Sequence, residues 1–152
     1  MKKIAKTIPP EAVIDTRYLE TLMGYNARRA ALKVIGLFSQ RMVDFGLTPV
    51  DFSVLSLIGH NPGITSRQLC SALHILPPNL VGKISAMQAR ELIDRRPHPQ
   101  DGRAVGLHLS VEGELFMRQA EQAASQLEVE VTSGLSAAEK KTLLRLLQKV
   151  YR

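Results

Sequence analysis

At 152 residues and 45% hydrophobic, the chain is large enough for one compact domain with helical extensions, and a formal net charge of +6 tilts it toward a polyanionic partner. The single Cys70 excludes an internal disulfide and a cysteine-rich zinc site. No apolar run is long enough to span a bilayer, and Met1-Lys2-Lys3 is not followed by a signal-peptide core, so the expectation is a cytoplasmic protein with no membrane partner.

Residues 1–14 mix charge with Pro9-Pro10 and read as an N-terminal arm. A long helix is expected from Asp15 to Phe45. Its apolar positions, among them Leu19, Leu22, Ala31, Ile35, Phe38, Met42 and Phe45, recur at helical spacing, and Gly46 stands where a left-handed C-terminal cap is wanted. Thr48-Pro49-x-Asp51 opens the next helix, with Thr48 as N-cap and Val50, Val54, Leu55 and Ile58 as its inward stripe. The breaker cluster Gly59-His60-Asn61-Pro62-Gly63 ends it.

Thr65-Ser66-Arg67-Gln68 matches a capping box and starts a short helix that runs to Leu73. After a tight break at His74-Ile75-Leu76, Pro77-Pro78 opens a second helix, expected to reach about Ile93. Its inward residues are Leu80, Ile84, Met87 and the aliphatic stem of Glu91. A basic segment, Asp94 to Arg103, carries a Pro/Gly/Asp tip and leads into the alternating strand Ala104–Ser110. Ser110 caps a helix from Val111 to Val131 with Leu115, Phe116, Ala120, Ala123, Ala124 and Leu127 inward. Ser136-x-x-Glu139 caps a last one with Leu143, Leu144, Leu146, Leu147 and Val150.

Two short helices joined by a turn and followed by a basic hairpin outline a winged helix-turn-helix, a unit that places its second helix in the DNA major groove. The fold class expected is therefore mainly α with a small β wing. Residues 47–110 form the DNA-binding lobe, and residues 15–46 and 111–152 form long dimerisation helices. The flanking helices have more apolar surface than so small a chain can bury. A second copy is the natural cover, and a two-fold dimer would read a pseudo-palindromic double-stranded operator with half-sites roughly 34 Å apart.

The order of a long helix, Leu47-Thr48-Pro49-Val50-Asp51-Phe52-Ser53-Val54-Leu55, a helix-turn-helix, a wing and two long helices resembles the MarR family of bacterial regulators over about residues 18–152. The most specific stretch is Asp101-Gly102-Arg103-Ala104-Val105-Gly106-Leu107-His108-Leu109-Ser110, similar to that family's wing signature. The resemblance implies a homodimeric repressor, relieved by a small amphipathic ligand bound between the dimer helices and the DNA-binding lobe. This chain departs from the pattern at Gly102, where Arg is frequent, at Glu91, where a capping Gly is usual, and along the recognition helix, where Ser, Thr and Arg are commoner.

The DNA-contact candidates are Arg67, Pro78, Asn79, Val81, Gly82, Lys83, Arg95, Arg96, Asp101 and Arg103. Arg103 at the wing tip suits a narrow minor groove, with Asp101 to orient it. Asn79 pairs with adenine edges, Lys83 with guanine or phosphate, and Gly82 lets the backbone approach; all three are expected on the outward face. Arg67, Arg95 and Arg96 suit phosphates, although for the last two pairing with Asp94 or with neighbouring helices competes. Gly24-Tyr25-x-x-Arg28-Arg29-Ala30 resembles a segment in relatives that sense aromatic acids or their coenzyme A thioesters. The ligand-contact candidates are accordingly Tyr18, Tyr25, Arg28, Arg29, Phe38, Met42 and Phe52, against the plainer reading of aromatics as core and paired arginines as a solvated face. Cys70, between Leu69 and Leu73, reads as a small core residue. His60, His74, His98 and His108 have no metal-ligand spacing, and no cofactor is expected. No phosphate loop, nucleophile elbow or carboxylate–histidine constellation marks an enzyme, so no catalytic residue is assigned. A helical protein that uses a winged-helix lobe for protein contact is the alternative function.

Overall fold

The computed structural model describes residues 14–98 and 101–152, which leaves the expected N-terminal arm outside the described residues apart from Ile14. The elements are α1 (Arg17–Glu20), α2 (Met23–Arg41), α3 (Pro49–His60), β1 (Ile64–Thr65), α4 (Ser66–Leu73), α5 (Pro77–Ala89), β2 (Ile93–His98), β3 (Asp101–Leu109), α6 (Val111–Val131) and α7 (Ala137–Tyr151). The chain forms two compact units, one ending at Lys33 and the other running from Val34 to Arg152.

In the first unit, the single helix expected from Asp15 is broken. The Thr21 hydroxyl donates to the Tyr18 carbonyl at 2.7 Å, and the Asn26 amide donates to the carbonyls of Glu20 and Leu22 at 2.7 and 2.8 Å. Side chains that bond nearby carbonyls offer the backbone an alternative to the helical ladder, and here they end α1 at Glu20 and start α2 at Met23. Asp15 grips Arg17 with both carboxylate oxygens at 3.0 and 2.8 Å, which lowers the Asp15 pKa from its ordinary value.

In the second unit, α2 stops at Arg41 rather than Phe45. The residues after it wind through turns to Gly46, which takes the left-handed φ of 60° expected of a cap. Thr48 caps α3 in a reciprocal box with Asp51, as its sequence predicts. Thr65 does the same for α4 with Gln68, and Ser136 for α7 with Glu139. Local i to i+3 chemistry suffices for each. His74, at a left-handed φ of 50°, closes α4. Leu76 cannot cap α5, but Pro77 and Pro78 remove two of the backbone donors that would otherwise stand orphaned.

Helix α5 ends at Ala89, short of Ile93. Glu91 turns the chain at a left-handed φ of 58°, and Leu92 N–H returns to the Met87 carbonyl at 3.0 Å. Glu91 is exposed, so the inward stem expected of it is absent; Leu92 and Ile93 are buried instead. The sheet is antiparallel in the order β1–β3–β2, with Ile64 opposite Leu107 and Ile93 opposite Leu109. Its register shifts at Pro97/His98, where proline cannot donate to the ladder.

Met42, Val54, Leu55, Ile58, Leu69, Leu80, Ile84 and Leu107 are the largest fully buried side chains, and they lock α3, α4, α5 and β3 together around the end of α2. The inward stripe of α6 is Gly113, Met117, Ala120 and Leu127. Leu115, expected inward, is 51% exposed, because the helix is rotated to bring Met117 into the core. Val50, also expected inward, lies at the surface. Gly113 is required where the start of α6 meets the turn between α5 and β2: a Cβ there would stand 2.0 Å from the Leu92 carbonyl oxygen.

Candidate DNA interface and ligand groove

Helix α5 follows α4 through the turn at His74–Leu76 and presents one face to solvent. Pro78, Gly82, Ser85 and Ala89 fall on one line at helical spacing, and all are exposed. Asn79 and Val81 flank that line, with Val81 62% exposed. Nothing lies within 4 Å of the position a Gly82 Cβ would take. Arg67 is exposed in the first turn of α4. Ser85 is a surface group that the sequence reading missed.

Lys83 is the correction to the expected face. It is only 28% exposed and turns toward α3, where its ammonium stands 2.7 Å from Asp51 Oδ1; the Asp51 side chain is 19% exposed. The other oxygen of Asp51 accepts from the Thr48 N–H at 3.1 Å and from the Thr48 hydroxyl. Burial works against ionisation of Asp51, but the hydrogen bonds from Lys83 and Thr48 outweigh it and hold the carboxyl below its ordinary value of 3.8. One carboxylate thus caps α3 and pins α5.

A second tie holds the end of α5. Arg90 donates to the Phe45 carbonyl at 2.8 Å and lies 5.0 Å from the Phe116 ring centroid, and Phe116 meets the Phe45 ring edge-on at 5.6 Å. Neither Asp51 nor Arg90 was marked from sequence as a partner of the recognition helix. The Thr48–Asp51 box was legible, but its further bond spans 32 residues, and nothing in the sequence flags Arg90.

On the wing, Arg95 Nε donates to Gln88 Oε1 at 3.0 Å, which braces β2 against α5. Arg96 pairs with Asp94 at 3.1 Å, the competing bond weighed for it from sequence. Both side chains are exposed. The backbone of Asp101 and Arg103 belongs to β3, while their side chains lie outside the described residues.

Within the second unit, the part of α2 from Val34 onward, α3 and α6 border a groove of about 370 Å³. Its walls include Val34, Phe38, Phe52, Ala124 and Leu127, with Glu121 and Glu128 also lining it. Phe38 and Phe52 meet edge-on at 5.6 Å. Met42, expected beside them, is fully buried in the core and lines no part of the groove. Tyr18, Arg28 and Arg29 in the first unit are exposed, and Tyr25 is half-buried. Cys70 is partly buried and packs against the core, as its neighbours suggest. A polar cavity of about 460 Å³, where α3, the sheet and α6 meet, had no sequence signal; in it His60 pairs with Glu121 at 3.0 Å. Among the described residues, no cluster of three or more His, Cys, Asp or Glu could hold a metal ion, and no helix is long and apolar enough to cross a membrane.

A helix-turn-helix with an exposed second helix, braced by a basic three-stranded wing, defines a DNA-binding regulator. The MarR family model matches residues 45–104, which span α3 to the wing. The repressor CouR bound to a 23-mer DNA duplex superposes with a TM-score of 0.86 at 32% identity, over 93% of this chain and 100% of that one. CouR bound to p-coumaroyl-CoA gives 0.81 at 30%, over 92% and 99%. BpsR of Bordetella bronchiseptica, whose DNA binding is regulated by 6-hydroxynicotinic acid, gives 0.78 at 26%, over 86% and 93%. The HTH-type transcriptional repressor NicR of Pseudomonas putida is 28% identical over 148 residues, 95% of this chain and 93% of that protein. The chain belongs to the MarR family; it is a transcriptional regulator and not an enzyme.

Proposed function

We propose that this regulator works as a homodimeric repressor on a pseudo-palindromic operator and lets go when a small aromatic acid or its acyl thioester binds. The observation that carries the dimer is α7. Leu143, Leu144, Leu146, Leu147 and Val150 are all exposed on it, and α7 has no buried residue. A continuous apolar stripe left in water on a chain of this size calls for a second copy.

The ligand reading rests on the groove between α2, α3 and α6, of a size suited to an aromatic ring with a short chain. Glu121 and Glu128 repel an anion there, so the ring enters and the acid or thioester end stays outside. The family resemblance makes Arg28 and Arg29 the candidates for pairing with a carboxylate or phosphate, with Tyr25 one turn before them on α2 and Tyr18 a further candidate on α1. Release follows mechanically. The groove is walled by α3, and α3 carries the Asp51 that pins α5. A ligand that binds better when α3 is shifted draws the recognition helices out of register with adjacent major grooves. In the DNA complex, Arg67, Asn79, Val81 and Gly82 face the duplex on the helix-turn-helix, with Pro78 opening the recognition helix. Arg95, Arg96 and Arg103 serve the wing, and Asp101 orients Arg103.

Titrating the operator complex with benzoates, cinnamates and their coenzyme A thioesters tests the release. At least one should lower operator affinity, and Arg28→Met or Arg29→Met should blunt that response while sparing DNA binding without ligand. A panel with no effect removes the ligand assignment and leaves the DNA interface standing.

A further inference from the structure

The chemistry α5 offers to a major groove is unusual in one respect: it has no unpaired cation. Lys83 is the only ionisable side chain between Pro77 and Ala89, and its ammonium is committed to Asp51 at 2.7 Å. Arg90, at the C-cap, is committed to the Phe45 carbonyl. Gln88, the other long polar side chain of the helix, has its carbonyl oxygen taken by Arg95. What remains outward is small or apolar: Pro78, Gly82, Ser85, Ala89 and Val81, together with the amide of Asn79.

Guanine is read in the major groove by Arg or Lys at O6 and N7, whereas Asn is bidentate to adenine N6 and N7 and apolar groups touch the thymine methyl. We infer that α5 reads A·T pairs, with Asn79 on adenine and Val81 against a thymine methyl, because the Asp51–Lys83 pair removes the one guanine-reading group the helix has. This rests on the DNA-reading role proposed above. The exposed line of small residues fits the same picture, since without long side chains α5 must approach the base edges closely. Electrostatic attraction then falls to Arg67 and the wing, whose phosphate contacts are blind to sequence.

Selection of bound duplexes from a pool with a randomised core, using the full-length chain, tests this. The expected sites carry A or T at every position whose preference is lost in Asn79→Ala or Val81→Ala, with Asn79→Ala weakening the selected site by roughly tenfold or more. The double variant Asp51→Asn/Lys83→Met removes both charges without leaving either alone. It should select the same bases, and its affinity should fall with salt along the parental slope. A required guanine whose preference vanishes in that variant would overturn the inference. So would a slope that flattens by about one, the signature of a lost phosphate contact. A protein that binds duplex but enriches no sequence would instead overturn the role of α5 as a recognition helix.

Discussion

Gly82→Ala separates what α5 does for the fold from what it does for DNA. Glycine in a helix interior is less favourable than alanine by about 0.8–1.0 kcal/mol. No atom lies within 4 Å of the position the new methyl would occupy, so no steric cost offsets that gain. The free protein should therefore gain close to the full amount, about 1 kcal/mol, or a rise in Tm of about 2–4 °C for a chain of this length. In the DNA interface proposed above, the same methyl would stand on the outward line, between the helix backbone and the base edges. If α5 approaches as closely as its small residues imply, binding weakens by about 1–3 kcal/mol per half-site, the cost of one disrupted base contact. Thermal unfolding of the free protein and operator titration by anisotropy give the two readings. A lower Tm would refute the packing of α5 described above. A higher Tm with unchanged affinity would take Gly82 out of the interface.

Three further outcomes follow from particular contacts. Glu91→Gly should stabilise by about 0.5–1 kcal/mol in urea unfolding, since glycine holds the φ of 58° without strain while surrendering some unfolded-state entropy; a loss would contradict the left-handed cap. Gly113→Ala should destabilise by about 2 kcal/mol despite alanine's better helix propensity, because a Cβ 2.0 Å from the Leu92 oxygen meets backbone that cannot rotate away; a gain by the same assay would contradict this close approach of α6 to Leu92. Asp51 has a depressed carboxyl pKa, so its stabilising bonds are fully present above 3.8 and are lost as pH falls through the lower folded-state value. The stability difference between the parent and Asp51→Asn should be flat from about pH 8 to about pH 5 and shrink only in stronger acid. A difference that fades nearer neutrality would mean Asp51 is not held this way.

Where the sequence could be read, the reason was locality. The caps at Thr48, Thr65, Ser110 and Ser136 are bonds across three residues, so the starts of α3, α4, α6 and α7 were all legible. Gly46 was legible as a left-handed cap because few other residues tolerate that backbone. The break between α1 and α2 was not, because it turns on the Asn26 amide capturing two carbonyls rather than on a helix breaker. The face of α6 was misjudged between Leu115 and Met117, two apolar residues on different faces of one helix, and only the packed core chooses between them. Lys83 was grouped with Asn79 and Gly82 on the outward face, but at 3.6 residues per turn it stands about 60° from Leu80, beside the inward stripe; a carboxylate 32 residues earlier holds it there. The A·T preference inferred for α5 follows from that long-range bond and could not be drawn without it.

The most direct measurement is sedimentation of the protein with a duplex from its own promoter, with and without the panel of aromatic acids and thioesters. Two chains per duplex are expected, dissociating when one of those compounds is added, while a chain truncated after Leu135 should be monomeric or aggregated and should not bind as a dimer. A stable, operator-binding dimer that survives removal of α7, or a single chain on the intact operator, would contradict the dimeric reading.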